Sequence, residues 1–448
     1  MNDLTTKDTK GTKGKELRSL PEGWVWTTLG EVADLVGGGT PSREKPEYFT
    51  GNYVWLTPTE IPKNKIVVVS DSRERINDDA LHHSSARLIP KGSVLMTSRA
   101  SIGYVAIAGT EVTTNQGFAS FLPKEGVNNF FLAYWLWANA SFFIEQGTGT
   151  TFKEITKSKL RTFSLPLPPL PEQERIVASL EELLSDLEAG VAALERVRAG
   201  VKRYKASVLK VACEGKLFDV GAHGMRPSVQ AGRTPSAPTG VGGLPEGWRW
   251  VKMDEIADTI GGVTKGRNLT GKATIMLPYL RVANVQRGRL DLDVMKEIEI
   301  FASEVGKYRL QDGDVVLTEG GDWDKLGRSA IWRNQIPDCI HQNHIFRARV
   351  KSSDVLPEWL MYFTNSEPGQ YYFKEAAKQT TNLASINLTQ LRACPIPLPP
   401  LEEQQRIVAD AERRLESARA VESAVEVGLK RAGRLRQAVL RSAFEGRL

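Results

Sequence analysis

The chain has 448 residues, 41% of them hydrophobic and 25% charged, with a formal net charge of +6. That length allows two or three domains with separate cores, the composition is that of a soluble globular protein, and the charge is too small to indicate a bulk polycation. The three cysteines (Cys213, Cys339 and Cys394) have no paired spacing, which argues against a disulfide framework or a cysteine-rich zinc site and favours a reducing cytoplasm.

The N-terminal residues 1–19 are rich in lysine and threonine and are predicted to be a disordered tail. They contain no apolar segment of the kind found in secretory signals. The most apolar run, Phe130 to Ile144, is too short to span a bilayer and predicts a buried helix. We therefore expect a cytoplasmic protein that does not enter the membrane.

The remainder of the chain is a tandem duplication. The matching segments are "LPEGWVWTTLGEVADLVGG" (20–38) and "LPEGWRWVKMDEIADTIGG" (244–262), "LAYWL" (132–136) and "LMYFT" (360–364), "PLPPLPEQERIV" (166–177) and "PLPPLEEQQRIV" (397–408), and "SVLKVACEGKL" (207–217) and "AVLRSAFEGRL" (438–448). Four matches in the same order, with an offset that grows from 224 to 231 residues, indicate two copies of one unit.

Each copy has two sections. The first contains apolar runs bounded by glycine, such as "GSVLMTS" and "GDVVLTEGG", which predict strands, and then a short aromatic helix. The second has no proline beyond its first few residues and predicts one long helix. We expect globular domains at 20–165 and 244–396, long helices within 166–218 and 397–448, and a linker at 219–243.

The repeated proline motif lies where each domain meets its helix. Pro171 can occupy the first turn of a helix, where its missing N–H has no partner to lose, and Glu172 and Glu174 complement the helix dipole. The motif therefore predicts a stiff joint. The alternative is a polyproline ligand for a partner's groove, which the duplication at both junctions disfavours.

Heptad spacing predicts that the two long helices pair as a coiled coil. The first helix carries the series Leu180, Leu187, Leu194, Val201 and Val208, and the series Ile176, Leu183, Val197, Tyr204 and Val211. The second helix carries the smaller series Ala411, Ala418, Val425, Ala432 and Val439, with Ile407, Val421 and Leu435. Two separate helices, each packed on its own domain, are the alternative.

Charge predicts the direction of pairing. Each helix is acidic in its N-terminal half and basic in its C-terminal half, so an antiparallel pair places unlike charges together. Antiparallel helices would relate the two domains by a pseudo-twofold axis, and nearly symmetric double-stranded DNA suits such a protein.

Over residues 20–448 the chain resembles the specificity subunits of type I restriction–modification enzymes. The letters that carry the resemblance are "LPEGW", "GGGTPSREKPEYFTGNYVWL", "PLPPLPEQERIV" and "EGKL" in the first copy, and "LPYLRVANVQRGRLDL", "LTEGGDWDKLGRSAIW", "HQNHIFRARV" and "PLPPLEEQQRIV" in the second. The resemblance implies an α+β fold, in which two mixed target-recognition domains are separated by two long antiparallel helices.

The resemblance also implies a function. It implies a non-catalytic subunit that binds a bipartite site on double-stranded DNA and directs two copies of a methyltransferase subunit, and the restriction subunits, to that site. S-adenosylmethionine and ATP would be bound by those partners, and no cofactor or metal by this chain. Its sequence contains no P-loop and no Asn/Asp-Pro-Pro-aromatic motif. A coiled-coil scaffold with two protein-binding globular domains is the alternative.

Amide side chains are the first candidates for reading bases. Gln342 and Asn343 lie in "CIHQNHIF", and Asn115 and Gln116 occupy the equivalent place in "TTNQGF". Asn or Gln can bond adenine N6 and N7 together, whereas the alternative is local bonding to the backbone. A metal site at Cys339, His341 and His344 is disfavoured, because a strand would direct these side chains to different faces.

Charged and hydroxyl side chains supply the other candidates. Loops after strand-like runs carry Arg99, Lys325 and Arg328, where recognition residues commonly lie. Phosphate contacts are predicted for Ser42, Arg43, Lys45, Lys265, Arg267, Arg281, Arg287 and Arg289, the last five belonging to a run without carboxylates. Further DNA-contact candidates before the joints are Thr150, Thr151, Lys153, Thr380 and Thr381. We expect Trp24, Trp26, Trp248 and Trp250 to be core anchors rather than stacking platforms.

Overall fold

The computed structural model describes residues 20–149, 152–216, 244–321, 323–379 and 384–448. The predicted tail 1–19 and linker 219–243 lie outside the described residues, as do Thr150, Thr151, Thr380 and Thr381. The chain divides into two compact units, the first within Met1–Leu194 and Val427–Leu448 and the second within Glu195–Glu426. Each unit therefore contains one domain and parts of both long helices.

The first domain is a mixed α/β structure. Its strands are β1 (Val25–Thr28), β2 (Ala33–Gly37), β3 (Tyr53–Leu56), β4 (Val67–Val69), β5 (Glu74–Ile76), β6 (Val94–Thr97), β7 (Val105–Ala108), β8 (Val112–Thr114), β9 (Phe118–Pro123) and β10 (Ser164–Leu167). Its helices are α1 (Leu29–Val32), α2 (Asp78–His82), α3 (Asn129–Ala138), α4 (Ala140–Gln146) and α5 (Lys157–Arg161), and the long helix α6 (Leu170–Cys213) follows.

The second domain repeats this plan. Its strands are β11 (Arg249–Lys252), β12 (Ala257–Gly261), β13 (Thr274–Leu280), β14 (Val285–Gln286), β15 (Arg289–Leu290), β16 (Lys296–Phe301), β17 (Val315–Thr318), β18 (Gly320–Gly321), β19 (Ser329–Ile331), β20 (Ile340–His341), β21 (Ile345–Val350), β22 (Lys378–Gln379), β23 (Ala384–Ser385) and β24 (Pro395–Leu398). Its helices are α7 (Met253–Ile256), α8 (Val305–Tyr308), α9 (Pro357–Asn365), α10 (Glu367–Ala376) and α11 (Leu388–Arg392), followed by the long helix α12 (Leu401–Phe444).

Two sheets recur in both domains. The order β2-β9-β6-β7 in the first domain matches β12-β21-β17-β19 in the second, and β5-β3-β8 matches β16-β13-β20. The first domain adds β4 as a fifth strand next to β7. In the second sheet of each domain, the middle strand pairs antiparallel with one neighbour and parallel with the other. The central strands β6, β7 and β17 are buried at every residue, as expected for strands covered on both faces.

The apolar run from Phe130 to Ile144 forms two helices rather than one. Asn139 ends α3 and is also the N-cap of α4, and its side-chain amide donates to the Trp135 carbonyl at 2.8 Å. Asparagine favours such helix boundaries because its side chain competes for backbone hydrogen bonds. The prediction of a single buried helix is therefore wrong, and Phe142 and Ile144 on α4 are each 41% exposed.

The tryptophans near each domain's start also separate into two groups. Trp24 and Trp248 are buried, whereas Trp250 is half-buried and Trp26 is 41% exposed. Trp26 lies in the two-stranded ladder β1–β10, where it faces Pro166 on the partner strand. A two-stranded ladder has a second face that the domain core does not cover. The prediction of a core anchor is therefore wrong for Trp26.

The proline joints contain a buried glutamine that the sequence interpretation overlooked. Gln173, on the first turn of α6, donates to the carbonyls of Pro168 (2.9 Å) and Gly126 (3.0 Å), and its Oε1 accepts from the Asn128 N–H at 2.8 Å. Its side chain is fully buried. It therefore fastens the start of the long helix to the loop before α3.

The second copy repeats the arrangement with Gln404. This side chain donates to the carbonyls of Pro399 and Asp354, each at 2.9 Å, and accepts from the Leu356 N–H at 2.9 Å. The conserved spacing of "PLPP" and "EQ" within this chain thus has a structural cause. The prolines set the entry of the helix, and the glutamine satisfies backbone groups that the joint would otherwise bury without partners.

Within each unit the long helices run antiparallel. In the first unit, Leu180 and Leu184 of α6 share a core with Leu440 and Ala443 of α12. In the second, Val208 and Ala212 share a core with Ile407, Ala411 and Leu415. The Lys205 ammonium and a Glu422 carboxylate oxygen lie 2.7 Å apart, an ion pair between the basic part of one helix and the acidic part of the other. The α+β fold with two mixed domains and an antiparallel helix pair is confirmed.

The second heptad series of the first helix is buried at Ile176 but is exposed along its middle. Leu183, Val197 and Tyr204 are 42–46% exposed, and on the partner helix Val421 and Leu435 are 44% and 50% exposed. The neighbouring Leu184 is 6% exposed and takes the place predicted for Leu183.

The reason is that packing uses Leu184 and Ala212, which lie four residues after Leu180 and Val208 of the first series. Residues three and four positions away lie on the same side of a helix, so heptad spacing alone does not choose between them. In the first series, Leu180 and Val208 are buried and Leu187, Leu194 and Val201 are half-buried. On α12, Ile407 and Val425 are buried and Val439 is half-buried.

Candidate nucleic-acid interface

The candidate amides lie in the same backbone turn of each domain. We call residues 115–117 amide turn 1 and residues 342–344 amide turn 2. Each follows the strand of a parallel pair: the Asn115 N–H donates to the Leu56 carbonyl at 3.0 Å, and the Gln342 N–H donates to the Leu280 carbonyl at 3.1 Å. The structure thus brings Asn115 and Gln342 to equivalent positions, as the sequence predicted.

A glycine in each copy packs directly against this turn. A Cβ atom on Gly38 would lie 2.1 Å from the Asn115 carbonyl oxygen, and one on Gly262 would lie 2.1 Å from the His341 carbonyl oxygen. No side chain fits in that space, which explains why both copies carry a glycine directly after the strands β2 and β12. The turn is therefore held by its backbone, and its side chains are left to vary.

The amide side chains also make local contacts. Asn115 Oδ1 accepts from the Gly117 N–H at 2.9 Å, and Gln116 Oε1 accepts from the Thr40 hydroxyl. Gln116 is nevertheless exposed, and Asn115, Gln342 and Asn343 are half-buried. The turn thus presents amide groups to solvent from a rigid scaffold, the geometry that base reading requires.

A second loop lies beside each amide turn. We call residues 98–103 loop 1 and residues 319–327 loop 2; Asp322 of loop 2 lies outside the described residues. The buried hydroxyl of Thr97 accepts from the Tyr104 N–H and donates to the Ser101 carbonyl, while Thr318 accepts from the Arg328 N–H and donates to the Lys325 carbonyl. The threonine and the N–H that it accepts from are seven residues apart around loop 1 and ten residues apart around loop 2. The same kind of threonine anchor therefore supports loops of unequal length in the two domains.

The predicted recognition residues in and next to these loops differ in their surroundings. Arg99 is exposed, and its guanidinium lies 3.8 Å from the Glu154 carboxylate. Lys153 precedes Glu154 in the chain, and its Nζ donates to the Ile144 carbonyl at 3.3 Å. Ala100 next to Arg99 has a φ of 61°, a left-handed conformation that is unusual without glycine and that often accompanies functional loops. Arg328 is largely covered, since it donates to Asp324 and to Gln286 Oε1. Lys325 also has an interaction partner.

The segment with Ser42, Arg43 and Lys45 is organised by aromatic rings. Arg43 lies 4.3 Å from the centre of the Phe49 ring and forms a bidentate pair with Glu74 at 2.5 and 2.7 Å. This guanidinium holds the pKa of the Glu74 carboxyl below its usual range. Lys45 donates to the Tyr48 hydroxyl at 3.1 Å, and the hydroxyl of Ser42 accepts from the Glu44 N–H at 3.3 Å. All three candidates are exposed, on one short segment.

The basic run of the second domain acquires acidic partners from other segments. Arg267 forms a bidentate pair with Glu304 at 3.0 and 2.7 Å, which lowers the pKa of that carboxyl. Arg281 donates to the Val294 carbonyl, and Arg287 donates to Gln370 Oε1 at 2.6 Å. Lys265 and Arg289 are exposed. The run is therefore divided between cations that hold the domain together and cations that face solvent.

The histidine of "CIHQNHIF" is part of the core. His341 is fully buried, its Nδ1 lies 2.8 Å from the Ile345 carbonyl oxygen, and its ring contacts Tyr308 edge to face. Burial, together with the nearby Arg347, lowers its pKa to about 4. Among the described residues, no group of three His, Cys, Asp or Glu side chains is arranged to hold a metal ion.

None of the helices in the described part of the chain is long and apolar enough to cross a membrane.

Residues 21–196 and 245–410 both match the family model described as "Type I restriction modification DNA specificity domain". The chain belongs to this family.

Relatives in the family extend over nearly the whole chain. The specificity subunit of type I restriction enzyme EcoKI from Escherichia coli (strain K12) is 25% identical over 442 residues, covering 96% of this chain and 90% of the relative. That of StySPI from Salmonella potsdam is 24% identical with the same coverage. The specificity subunit of MjaIX from Methanocaldococcus jannaschii is 33% identical over 177 residues, 39% of this chain and 41% of the relative.

Solved structures share the fold. A structure of a type I restriction–modification system aligns with a TM-score of 0.69 and 24% identity over 96% of this chain and 100% of that one. The HsdS subunit from Thermoanaerobacter tengcongensis aligns with a TM-score of 0.50 and 20% identity over 96% and 99%.

Three features of this type I specificity domain pair were absent from the sequence interpretation. They are the buried glutamines Gln173 and Gln404, the anchoring threonines Thr97 and Thr318, and the pair formed by Glu319 and His344. The glutamines and threonines could have been found, because each occupies the same place in both copies. The last pair could not, because its residues occur in the second copy alone.

Because His341 is buried in neutral form, the second domain of this specificity subunit should lose stability on acidification. The unfolded chain takes up the proton below about pH 6.5, but the folded chain does so only near pH 4, so stability falls between these values by roughly 3 kcal/mol. In His341→Thr, which introduces the residue found at Thr114 in the first domain, that part of the pH dependence should vanish. Thermal unfolding from pH 4 to 7.5 would measure it, with exposed His82→Thr as control. Parallel curves for wild type and His341→Thr would contradict the assignment.

Proposed function

We propose that this chain selects the DNA site at which the methyltransferase and restriction subunits of a type I system act. The observation that supports this most directly is the duplicated recognition framework. Each domain holds an amide turn by backbone hydrogen bonds and a loop by a buried threonine hydroxyl, while the exposed side chains on them differ. A scaffold that is kept while its exposed groups vary is suited to reading sequence.

Each domain then reads its own half-site. Amide turn 1 with Arg99 and amide turn 2 with Glu319 present different donors and acceptors, so the two half-sites should be unlike. The exposed cations Lys265 and Arg289, and the segment around Arg43, are suited to the phosphate backbone, because charge positions the duplex without reading it. This chain supplies recognition, and its partners supply adenine methylation and cleavage.

The experiment that tests the function is methylation by a reconstituted complex. The chain co-purified with its host's methyltransferase subunit should bind duplex DNA in a salt-dependent manner and methylate adenines at one bipartite sequence. Host DNA sequenced with and without the gene should lose that methylation when the gene is absent. Protein complexes that form without any DNA preference would instead favour the scaffold with two protein-binding domains.

The helices offer a docking surface for a partner subunit. Three apolar residues of the second unit are 44–46% exposed, although their heptad spacing predicted a buried seam: Val197, Tyr204 and Val421. Exposed apolar residues on paired helices are typical of surfaces that another helix covers. We propose that a methyltransferase subunit packs here, and that each complex contains two copies of it, as the duplication of the chain suggests.

Two valines on one helix separate docking from folding. Val197→Asp changes an exposed position (44%), so it should leave the melting temperature unchanged and weaken binding of the methyltransferase subunit at least tenfold. Val208→Asp buries a charge at a position only 3% exposed, and should lower stability by several kcal/mol. Calorimetric unfolding and titration of the two subunits would measure both effects. Unchanged binding by folded Val197→Asp would place the docking surface elsewhere.

The distance between the half-sites should be strict. Helices α6 and α12 each run for 44 residues without interruption, so neither offers a hinge. Two major-groove segments about one helical turn apart, roughly 34–36 Å, would both face one side of the duplex. Inserting or deleting one base pair between the half-sites should therefore reduce methylation at least tenfold, as measured on matched duplexes. Equal methylation across several gap lengths would show that the helix pair bends.

A further inference from the structure

Amide turn and loop meet at one residue pair in each domain. In the first domain, the Ser98 N–H donates to the Gly117 carbonyl at 2.7 Å, and the Ser98 carbonyl accepts from the Ile155 N–H at 2.9 Å. In the second, the Glu319 N–H donates to the His344 carbonyl at 3.0 Å, and the Glu319 carbonyl accepts from the Ile386 N–H at 3.0 Å. The backbone connections are the same, so Ser98 corresponds to Glu319 and Gly117 to His344.

The side chains at this junction are entirely different in the two domains. The first domain has a buried serine and a buried glycine there. In the second, His344 Nδ1 lies 2.6 Å from Glu319 Oε2, and the side chains are 56% and 28% exposed. His344 Nε2 lies 3.5 Å from the Nδ2 atom of Asn343, one of the candidate base readers. The second domain thus adds a carboxylate–imidazole pair that joins Glu319 of loop 2 to His344 of amide turn 2.

The fold does not require this pair. Its backbone positions are occupied equally well by Ser98 and Gly117, and the neighbouring turn is fixed by backbone hydrogen bonds and by the close approach of Gly262. The Glu319 carboxylate, although only partly exposed, also opposes the approach of DNA phosphates, which repel it. A negative group at this position is therefore useful to a DNA-binding domain only if it meets a hydrogen-bond donor on a base.

Major-groove chemistry identifies that donor. Two bases present an amino donor in the major groove, cytosine at N4 and adenine at N6, whereas guanine and thymine present acceptors there. Adenine also carries the N7 acceptor beside its amino group, which repels a carboxylate, so cytosine is the better match. The Nδ1 position of His344 holds the carboxylate in one orientation, and this leaves the second oxygen, Glu319 Oε1, for the base. Guanine in place of cytosine would then lose this hydrogen bond and would also be repelled, because its O6 would face a carboxylate.

We propose that Glu319, held by His344, is a specificity-determining residue of the second domain that reads a cytosine by accepting from its N4 amino group. This inference rests on the proposed function. The first domain has no acid at this junction, and its loop carries Arg99 one position further on, where the second domain has Gly320. Arginine favours guanine, so the two domains should differ in the base read at this place.

The test is methylation of a randomised pool by the reconstituted complex of this chain and its methyltransferase subunit. Duplexes with random bases are methylated, selected and sequenced for wild type, Glu319→Gln, Glu319→Ser and His344→Gly. Exposed Glu375→Gln on α10 is the matched control. Wild type should show a required cytosine at one position of one half-site.

In Glu319→Gln and Glu319→Ser the preference at that single position should fall by roughly 5- to 100-fold, with the other positions and the other half-site unchanged. His344→Gly should weaken the same position to a smaller degree, because the carboxylate remains but is no longer oriented. Glu375→Gln should match wild type, and all variants should melt at the wild-type temperature.

Two results would overturn the inference. One is an unchanged preference at every position in both Glu319 variants. The other is a loss of base preference at all positions together with a lower melting temperature, which would assign the pair a structural role. Glu319→Gln keeps the size and shape of the side chain, so its result separates loss of the charge from disruption of the loop. Wild-type methylation with no sequence preference is distinguishable from both, since it would overturn the proposed function itself.

Discussion

Replacing Gln404 by alanine is expected to destabilise the second domain by roughly 3–5 kcal/mol. The change removes the partner of the buried Pro399 carbonyl and of two part-buried groups, the Leu356 N–H and the Asp354 carbonyl. A fully buried group left without a partner costs about 1–3 kcal/mol, and a part-buried one costs less. Partial hydration of the space left by the side chain reduces the sum. The domain would remain folded at low temperature but unfold early on heating.

Gln405 provides the control, since it is the same residue type, adjacent and exposed. Gln405→Ala should change stability by less than about 0.5 kcal/mol. Thermal and urea unfolding of both variants would measure the difference, and the pair Gln173→Ala and Glu174→Ala repeats the comparison in the first domain. Equal stability of Gln404→Ala and Gln405→Ala would show that the joint does not depend on this amide.

Exchanging one domain should replace one half of the DNA site. A two-stranded ladder closes each domain where it meets its helix, from Val25↔Leu167 to Thr28↔Ser164 in the first copy. Just inside the ladder, the Leu29 N–H donates to the Phe163 carbonyl at 2.9 Å, and the Met253 N–H donates to the Cys394 carbonyl at 3.0 Å. These bonds mark equivalent cutting points in the two domains.

We therefore expect that replacing residues 29–163 by the corresponding segment of another family member changes one half-site completely. Each wrong base pair costs about 1–3 kcal/mol, so three or more mismatches abolish recognition of the original half-site. The other half-site and the gap should stay as they were. Methylation of a randomised duplex pool would measure both, and the reciprocal exchange of 253–394 is the control. A change in both half-sites together would contradict independent reading.

The sequence by itself determined the duplication, the joints and the direction of the helix pair. These features repeat along the chain, and repetition needs no knowledge of what lies nearby in space. The proline motif, the heptads and the separation of acidic from basic halves each act locally or along one helix axis. They were therefore available from spacing and charge.

Only the tertiary structure decided which side chains are used. Heptad spacing allowed Leu183 in the seam, but Leu184 lies in the core shared by the first domain and both helices, and Leu183 is exposed. The run from Lys265 to Arg289 contains no carboxylate, but folding brings Glu304 against Arg267. A side chain's burial and its ionic partner depend on residues distant in the chain, and a pattern in one dimension does not contain those distances.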